Sequence, residues 1–186
     1  MVAQDLADSA IHELAPLIRT GEVSPVALLE ACLARIEATD PALHAFLLLR
    51  ADAARAAAGA AEREIAAGNW RGPLHGVPFA VKDLLDVEGL PTTAGSLHLR
   101  DNVARETATV VGRLAEAGAV FLGKLHMVEF AFGGWGTNAH LGAPRNPWDL
   151  KVHRSPGGSS SGSRVAAARR PGALPPVSLH GGPSPG

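Results

Sequence analysis

The stretch Ser155-Pro156-Gly157-Gly158-Ser159-Ser160-Ser161-Gly162-Ser163 organises the reading of this chain. Glycine lets backbone N–H groups come close to a ligand. The Ala-rich run that follows has helical potential, and a helix start adds unpaired donors and the positive end of a dipole. Such a turn can hold hydroxyls beside an anion site. Composition alone fits a flexible Gly/Ser linker as well. The Pro-Trp segment Asn146-Pro147-Trp148 just upstream speaks against a linker.

A second stretch, Gly72-Pro73-Leu74-His75-Gly76-Val77-Pro78-Phe79-Ala80-Val81-Lys82-Asp83, reads as a turn feeding a short apolar strand that ends in Lys82. Taken singly, Lys82 is an ordinary solvated charge. Its surroundings matter more than its type.

The chain has 186 residues, 46% of them hydrophobic, and a formal net charge of −1. That is room for one domain with a sizeable core, and it excludes a disordered composition. The charge gives no electrostatic case for nucleic acid or a membrane surface. Cys32 is the only cysteine, so no intrachain disulfide forms; within Leu28-Leu29-Glu30-Ala31-Cys32-Leu33 it reads as a small buried helix residue. Met1-Val2-Ala3-Gln4-Asp5 lacks the basic and apolar regions of a secretory signal, and no apolar run approaches a membrane span. A cytoplasmic location is expected.

Residues 1–70 read as helical scaffold. Ser9 is positioned to cap a helix to about Thr20, with Gly21 beyond its end. Ser24-Pro25 supplies an N-cap and a first-turn proline, and Val26, Leu29, Leu33 and Ile36 form one apolar stripe. Asp40-Pro41 is expected to stop that helix. An Ala-rich helix follows over about Asp52–Ala67, ended by Gly68. From 71 to 163 the texture becomes α/β. Val77–Lys82 and Ala119–Lys124 are strand candidates, and Thr107–Ala117 is an amphipathic helix closed by Gly118. Strand, crossover helix and strand predict a parallel pair joined right-handedly. Lys82 then lies at the carboxyl end of its strand, where open α/β sheets collect their sites. Residues 164–186 contain no Asp or Glu but three arginines and five prolines, and read as a divergent, disordered tail.

Other chemistries fail on order or spacing. Gly158-Ser159-Ser160-Ser161-Gly162 fits a G-x-S-x-G elbow with Ser160 as nucleophile, but no Asp or Glu follows Asp149. No Gly-Lys-Ser/Thr ending makes a phosphate loop, and His126 and Glu129 lack the H-E-x-x-H pattern of a metal site. His75 reads as structural. Phe130, Phe132, Trp135 and Trp148 are expected to pack the core or wall a substrate channel.

Together, Gly76-Val77-Pro78-Phe79-Ala80-Val81-Lys82-Asp83 and Gly157-Gly158-Ser159-Ser160-Ser161-Gly162-Ser163 resemble the amidase signature family. Phe132-Gly133-Gly134-Trp135-Gly136-Thr137-Asn138 and Arg145-Asn146-Pro147-Trp148-Asp149 carry the same likeness, which runs from about Ser24 to Ser163. The resemblance implies a mixed sheet flanked by helices with an N-terminal helical region, here truncated. It implies amide (C–N) bond hydrolysis by a Ser-Ser-Lys triad, with Lys82 as base and Ser159 as bridging serine. Gly157, Gly158 and Ser160 fall to substrate binding. The family's nucleophile sits in a T-G-G-S turn that nothing here matches; Ser184 is nearest in kind, but Pro183 and Pro185 remove the flanking N–H donors. The chain is therefore expected to be catalytically incomplete. The resemblance also fits the A subunit of a tRNA-dependent amidotransferase, and the altered tail fits a non-catalytic remnant. It implies a small amide substrate, no metal or other cofactor, no direct nucleic-acid or membrane partner, and leaves a homo-oligomer open.

Overall fold

The computed structural model describes residues 6–167 and the backbone of 177–179. Helix α1 spans Ile11–Thr20. Its N-cap is Ala10 rather than the expected Ser9, because the Glu13 carboxylate reaches back to accept the Ala10 N–H at 2.8 Å. Gly21, at φ 79°, closes it as expected. Helix α2 spans Pro25–Leu43, capped by the Ser24 hydroxyl, which accepts the Ala27 N–H at 3.1 Å. It runs past Asp40-Pro41, against expectation. Pro41 falls in the last turn, and the carbonyl its missing N–H would have reached belongs to exposed Glu37. The chain turns instead at His44, in the left-handed conformation, and Asp40 accepts the Ala45 N–H at 2.7 Å.

That turn launches β1, Phe46–Leu49, a strand the sequence reading missed inside the helical region. Helix α3 follows over Ala51–Ala66, and then β2, Pro78–Lys82. Helix α4 spans Thr109–Glu116 and β3 spans Val120–Leu125. The sheet order is β1-β3-β2-β4, where β4 is Val177–Leu179. Strands β2 and β3 are parallel and joined by α4, as predicted; β1 is antiparallel to β3, and β4 is parallel to β2. The sheet is mixed. Of the tail expected to be disordered from residue 164, 164–167 lie in helix α5, Ser161–Ala167, and 177–179 form β4. The rest of it lies outside the described residues.

Each sheet face has its own cover. On one, Leu29 and Leu33 of α2 and Ala54 and Ala58 of α3 pack on Ala80, Val120, Leu122 and Leu125. The alanines bring α3 close, since nothing larger stands between helix and strands. On the other, Val111 of α4 packs on Phe79 and Val81 beside Phe121. A third cluster joins α1 to α2 through Leu14, Ile18, Leu28 and Cys32, whose thiol burial pushes up to about 12. Among the described residues no helix is long and apolar enough to cross a membrane.

Strand β3 carries one residue more than β2 between the pairs Phe79–Phe121 and Ala80–Gly123. This bulge re-aims every later side chain on β3. Leu122 and Leu125, three apart, consequently pack in the same cluster. Gly123 is required where β1 crosses this point, because a Cβ there would overlap the Leu48 carbonyl oxygen. We expect Gly123→Ala to destabilise the chain by about 1–3 kcal/mol through overpacking. Gly112→Ala, in α4 where an added Cβ meets nothing, should stabilise it by up to about 1 kcal/mol. Denaturant unfolding of the two variants measures both, and a neutral Gly123→Ala would show that the bulge relaxes freely.

Candidate active site

Lys82 closes β2 and is 1% exposed. Alternation along the strand points it to the same face as Ala80, toward α2 and α3. Its one hydrogen-bond partner among the described residues is Ser159, with Nζ 2.7 Å from Oγ. Burial holds the amine below its ordinary value of 10.5, and no neighbouring charge opposes that effect.

Ser159 is delivered by a tightly packed turn. The Gly158–Ser159 peptide bond is cis. The Ser159 carbonyl accepts the Val128 N–H at 2.9 Å, and Gly162 N–H donates to the His126 carbonyl at 2.8 Å, so the turn is stitched to the segment leaving β3. Gly158 lies against another backbone: a Cβ on it would come within 2.8 Å of Gly136 N and 2.9 Å of the Gly133 carbonyl oxygen. The glycine-rich segment 133–136 and the serine turn thus need each other's missing side chains. Ser160 is buried beside Ser159, and Gly157 sits at φ 78° with its N–H on the Ser155 hydroxyl at 3.2 Å. Of the five candidate residues, Lys82 and Ser159 meet through this hydrogen bond at the carboxyl end of β2, and Gly157, Gly158 and Ser160 flank Ser159 in the same turn. Ser184 lies outside the described residues.

The sequence reading missed Lys124. It too is 1% exposed, but the β3 bulge turns it to the face opposite Lys82, alongside Val81. Its ammonium donates to the Asp83 carboxylate at 3.2 Å, the Leu85 carbonyl at 2.7 Å and the Thr92 hydroxyl at 3.0 Å. The other Asp83 oxygen accepts the Thr93 N–H at 3.1 Å and the Thr93 hydroxyl. The two strand-end lysines are opposites: Lys124 is a fully hydrogen-bonded member of a buried ion pair, and Lys82 has a hydroxyl and no counter-charge. Only the register separates them, and no local pattern reports it.

Other expectations divide. His75 is structural: it is fully buried, its Nδ1 accepts the Arg71 N–H at 3.2 Å, and its ring lies 5.7 Å from that of Trp70. The aromatic side chains do not pack the core, since Phe132 is 91% exposed and Trp135 and Trp148 76% each. They ride on the 128–156 segment. Trp148 instead lines a cleft of about 410 Å³ with Pro147, Pro156, Arg164 and Val165. Among the described residues no group of three or more His, Cys, Asp or Glu is placed to hold a metal ion.

This fold and its serine turn have known counterparts. The family model described as Amidase matches residues 27–174, and the chain belongs to that family. The match runs past Ser163, where the sequence likeness was expected to end. The A subunit of the glutamyl-tRNA(Gln) amidotransferase of Acidothermus cellulolyticus is 48% identical over 88% of this chain and 32% of its own length. The native peptide amidase of Stenotrophomonas maltophilia is 39% identical with a TM-score of 0.78, over 87% of this chain and 34% of that one. A vestigial protein complex that reveals the evolutionary origins of an s-triazine catabolic enzyme includes a chain 44% identical with a TM-score of 0.79, over 84% of this chain and 34% of that one. The chain thus spans about a third of the length of the relatives it matches.

The contrast between the lysines can be tested by stability. Lys82 is depressed in the folded state, so the unfolded chain binds its proton more readily, and stability rises with pH through the window between the folded value and 10.5. Lys82→Met should therefore stabilise the chain, most strongly below the folded value and less as pH approaches 10.5. Lys124→Met should instead cost about 3–5 kcal/mol, because it strands a buried carboxylate. Thermal melts across pH check both, and equal effects would erase the distinction.

Proposed function

We propose that this chain carries the base and the bridging serine of an amide-hydrolysing Ser-Ser-Lys site, and that as written it lacks the nucleophile. One observation carries the reading: a buried lysine with no counter-charge lies 2.7 Å from the Ser159 hydroxyl. A lysine base must be neutral, which from an ordinary value costs about 4.6 kcal/mol at pH 7. Burial supplies that bias by penalising the ammonium. With Lys82 neutral, Ser159 donates its proton to Nζ while its oxygen accepts one from an attacking hydroxyl. Proton transfer along that line would turn a weak nucleophile into an alkoxide able to attack an amide carbon. The same relay, reversed, would protonate the departing amine.

Gly157, Gly158 and Ser160 border this pair and are assigned to substrate contact. Two buried hydroxyls of α5, Ser161 and Ser163, have no partner among the described residues. The amidotransferase reading is favoured by the identity to chains of that name. In that case an amide donor would release ammonia at the same site.

Two measurements test this. The 186-residue chain alone should hydrolyse aryl and alkyl amides no faster than background. Turnover abolished by Ser184→Ala would place the nucleophile in the tail and overturn the incompleteness. A chimera joining residues 1–163 to the complementary part of the Stenotrophomonas maltophilia peptide amidase should hydrolyse amides, with Lys82→Ala lowering kcat by about 10²–10⁴-fold. A chimera indifferent to Lys82 would remove the base.

A further inference from the structure

The proposed relay leaves Lys124 and Asp83 without a task. We propose that Lys124 is a positioning residue for Lys82: by pairing with Asp83 it cancels a buried carboxylate one residue along the strand from the base, and so preserves the uncharged surroundings in which the Lys82 amine sits. The proposal rests on the reading of Lys82 as base, and it deepens that reading.

The geometry argues for more than a tie between loop and strand. Asp83 is 2% exposed and directly follows the end of β2, and its carboxylate pairs with Lys124 on the face opposite Lys82, roughly 10 Å from the Lys82 amine. In a protein interior, a unit charge at that distance moves a titration by about one pH unit. Left bare, Asp83 would favour the Lys82 ammonium and spoil it as a base. Its backbone cannot swing away: its N–H donates to the Leu125 carbonyl at 3.1 Å and its carbonyl accepts the Ala94 N–H at 3.0 Å.

Cancellation therefore has to come from a fixed cation, and Lys124 is held at that place by three hydrogen bonds. The charged groups facing Lys124 are Asp83 and, farther along the same turn, Asp86. The 91–94 loop brings no charge to the pair: its Thr92 hydroxyl faces Lys124 and its Thr93 hydroxyl faces Asp83. On the Lys82 side, β3, α2 and α3 bring no charge to bear, and the serine turn offers a hydroxyl. The result is a charge-balanced face behind the base and an apolar face around it. The β3 bulge makes this possible, because without it Lys124 would emerge on the same face as Lys82.

The experiment is a direct titration. The chain holds three lysines, Lys82, Lys124 and Lys151, so 13Cε-labelled lysine gives three NMR signals, assignable by single substitution. In the unmodified chain Lys82 should titrate below 10.5; a midpoint at that ordinary value would sink the base reading itself. In Lys124→Met the Lys82 midpoint should rise by about one pH unit. An unchanged midpoint would overturn the shielding role while leaving the base intact. If Lys124→Met does not fold, Asp83→Asn decides: it leaves Lys124 as a bare cation, and the Lys82 midpoint should fall by a similar amount. The double variant Asp83→Asn/Lys124→Met removes both charges and should return Lys82 to its original midpoint. A purely structural tie predicts no movement in any variant, or the same movement in all three.

Discussion

One extra residue in β3 decides where charge can go in this molecule. Parallel strands β2 and β3 each carry a lysine near the carboxyl end, Lys82 as the last residue of β2 and Lys124 as the last but one of β3. With strict alternation both ammonium groups would meet on one face, where like charges at close range raise the cost of burying either. The bulge at Leu122–Gly123 sends Lys124 to the opposite face. Close passage of β1 over Gly123 locks it there, since the space for a side chain at that point is taken by the Leu48 carbonyl. A steric requirement at one glycine thereby becomes an electrostatic arrangement at two lysines.

Burying two lysines in one small sheet also shows two answers to the same desolvation problem. Burial pushes Lys124 below its ordinary value too, but Asp83 opposes that effect, and the amine gathers a carboxylate, a hydroxyl and a carbonyl, so each N–H is satisfied. Lys82 receives a single hydroxyl, and its surroundings press it toward the neutral form. The first arrangement holds a loop to a strand. The second, on the proposed reading, would hold a basic lone pair away from water.

Much of this was legible in residue pattern, for reasons that differ by element. The stripe Val26, Leu29, Leu33, Ile36 reports a helix because its period is local, and the glycines after α1 and α4 mark their ends because only local sterics are involved. The pairing of Lys82 with Ser159 was foreshadowed by two motifs taken together, neither sufficient alone. Strand β1 was not legible, because Phe46-Leu47-Leu48-Leu49 has no periodicity and is a strand only by virtue of β3 beside it. The pairing of Lys124 with Asp83 was not legible for the same reason: it depends on a register shift. The exposed Trp135 and Trp148 were misjudged because large aromatic side chains are buried when something covers them, and nothing within a loop's own sequence says whether it is covered.

The separation of 77 positions between Lys82 and Ser159 also bears on how the chain acquires its structure. Helices α1 to α3 are closed by contacts between near neighbours in sequence and can form early, while the sheet needs pairings across long loops and comes later. Throughout that interval Lys82 has no serine beside it. Its amine remains free to face water, carrying its charge, and the apolar strand around it is correspondingly less prone to adhere to other chains. Lys82, whose amine the finished fold presses toward neutrality, would thus guard the nascent strand until the serine turn arrives to cover it.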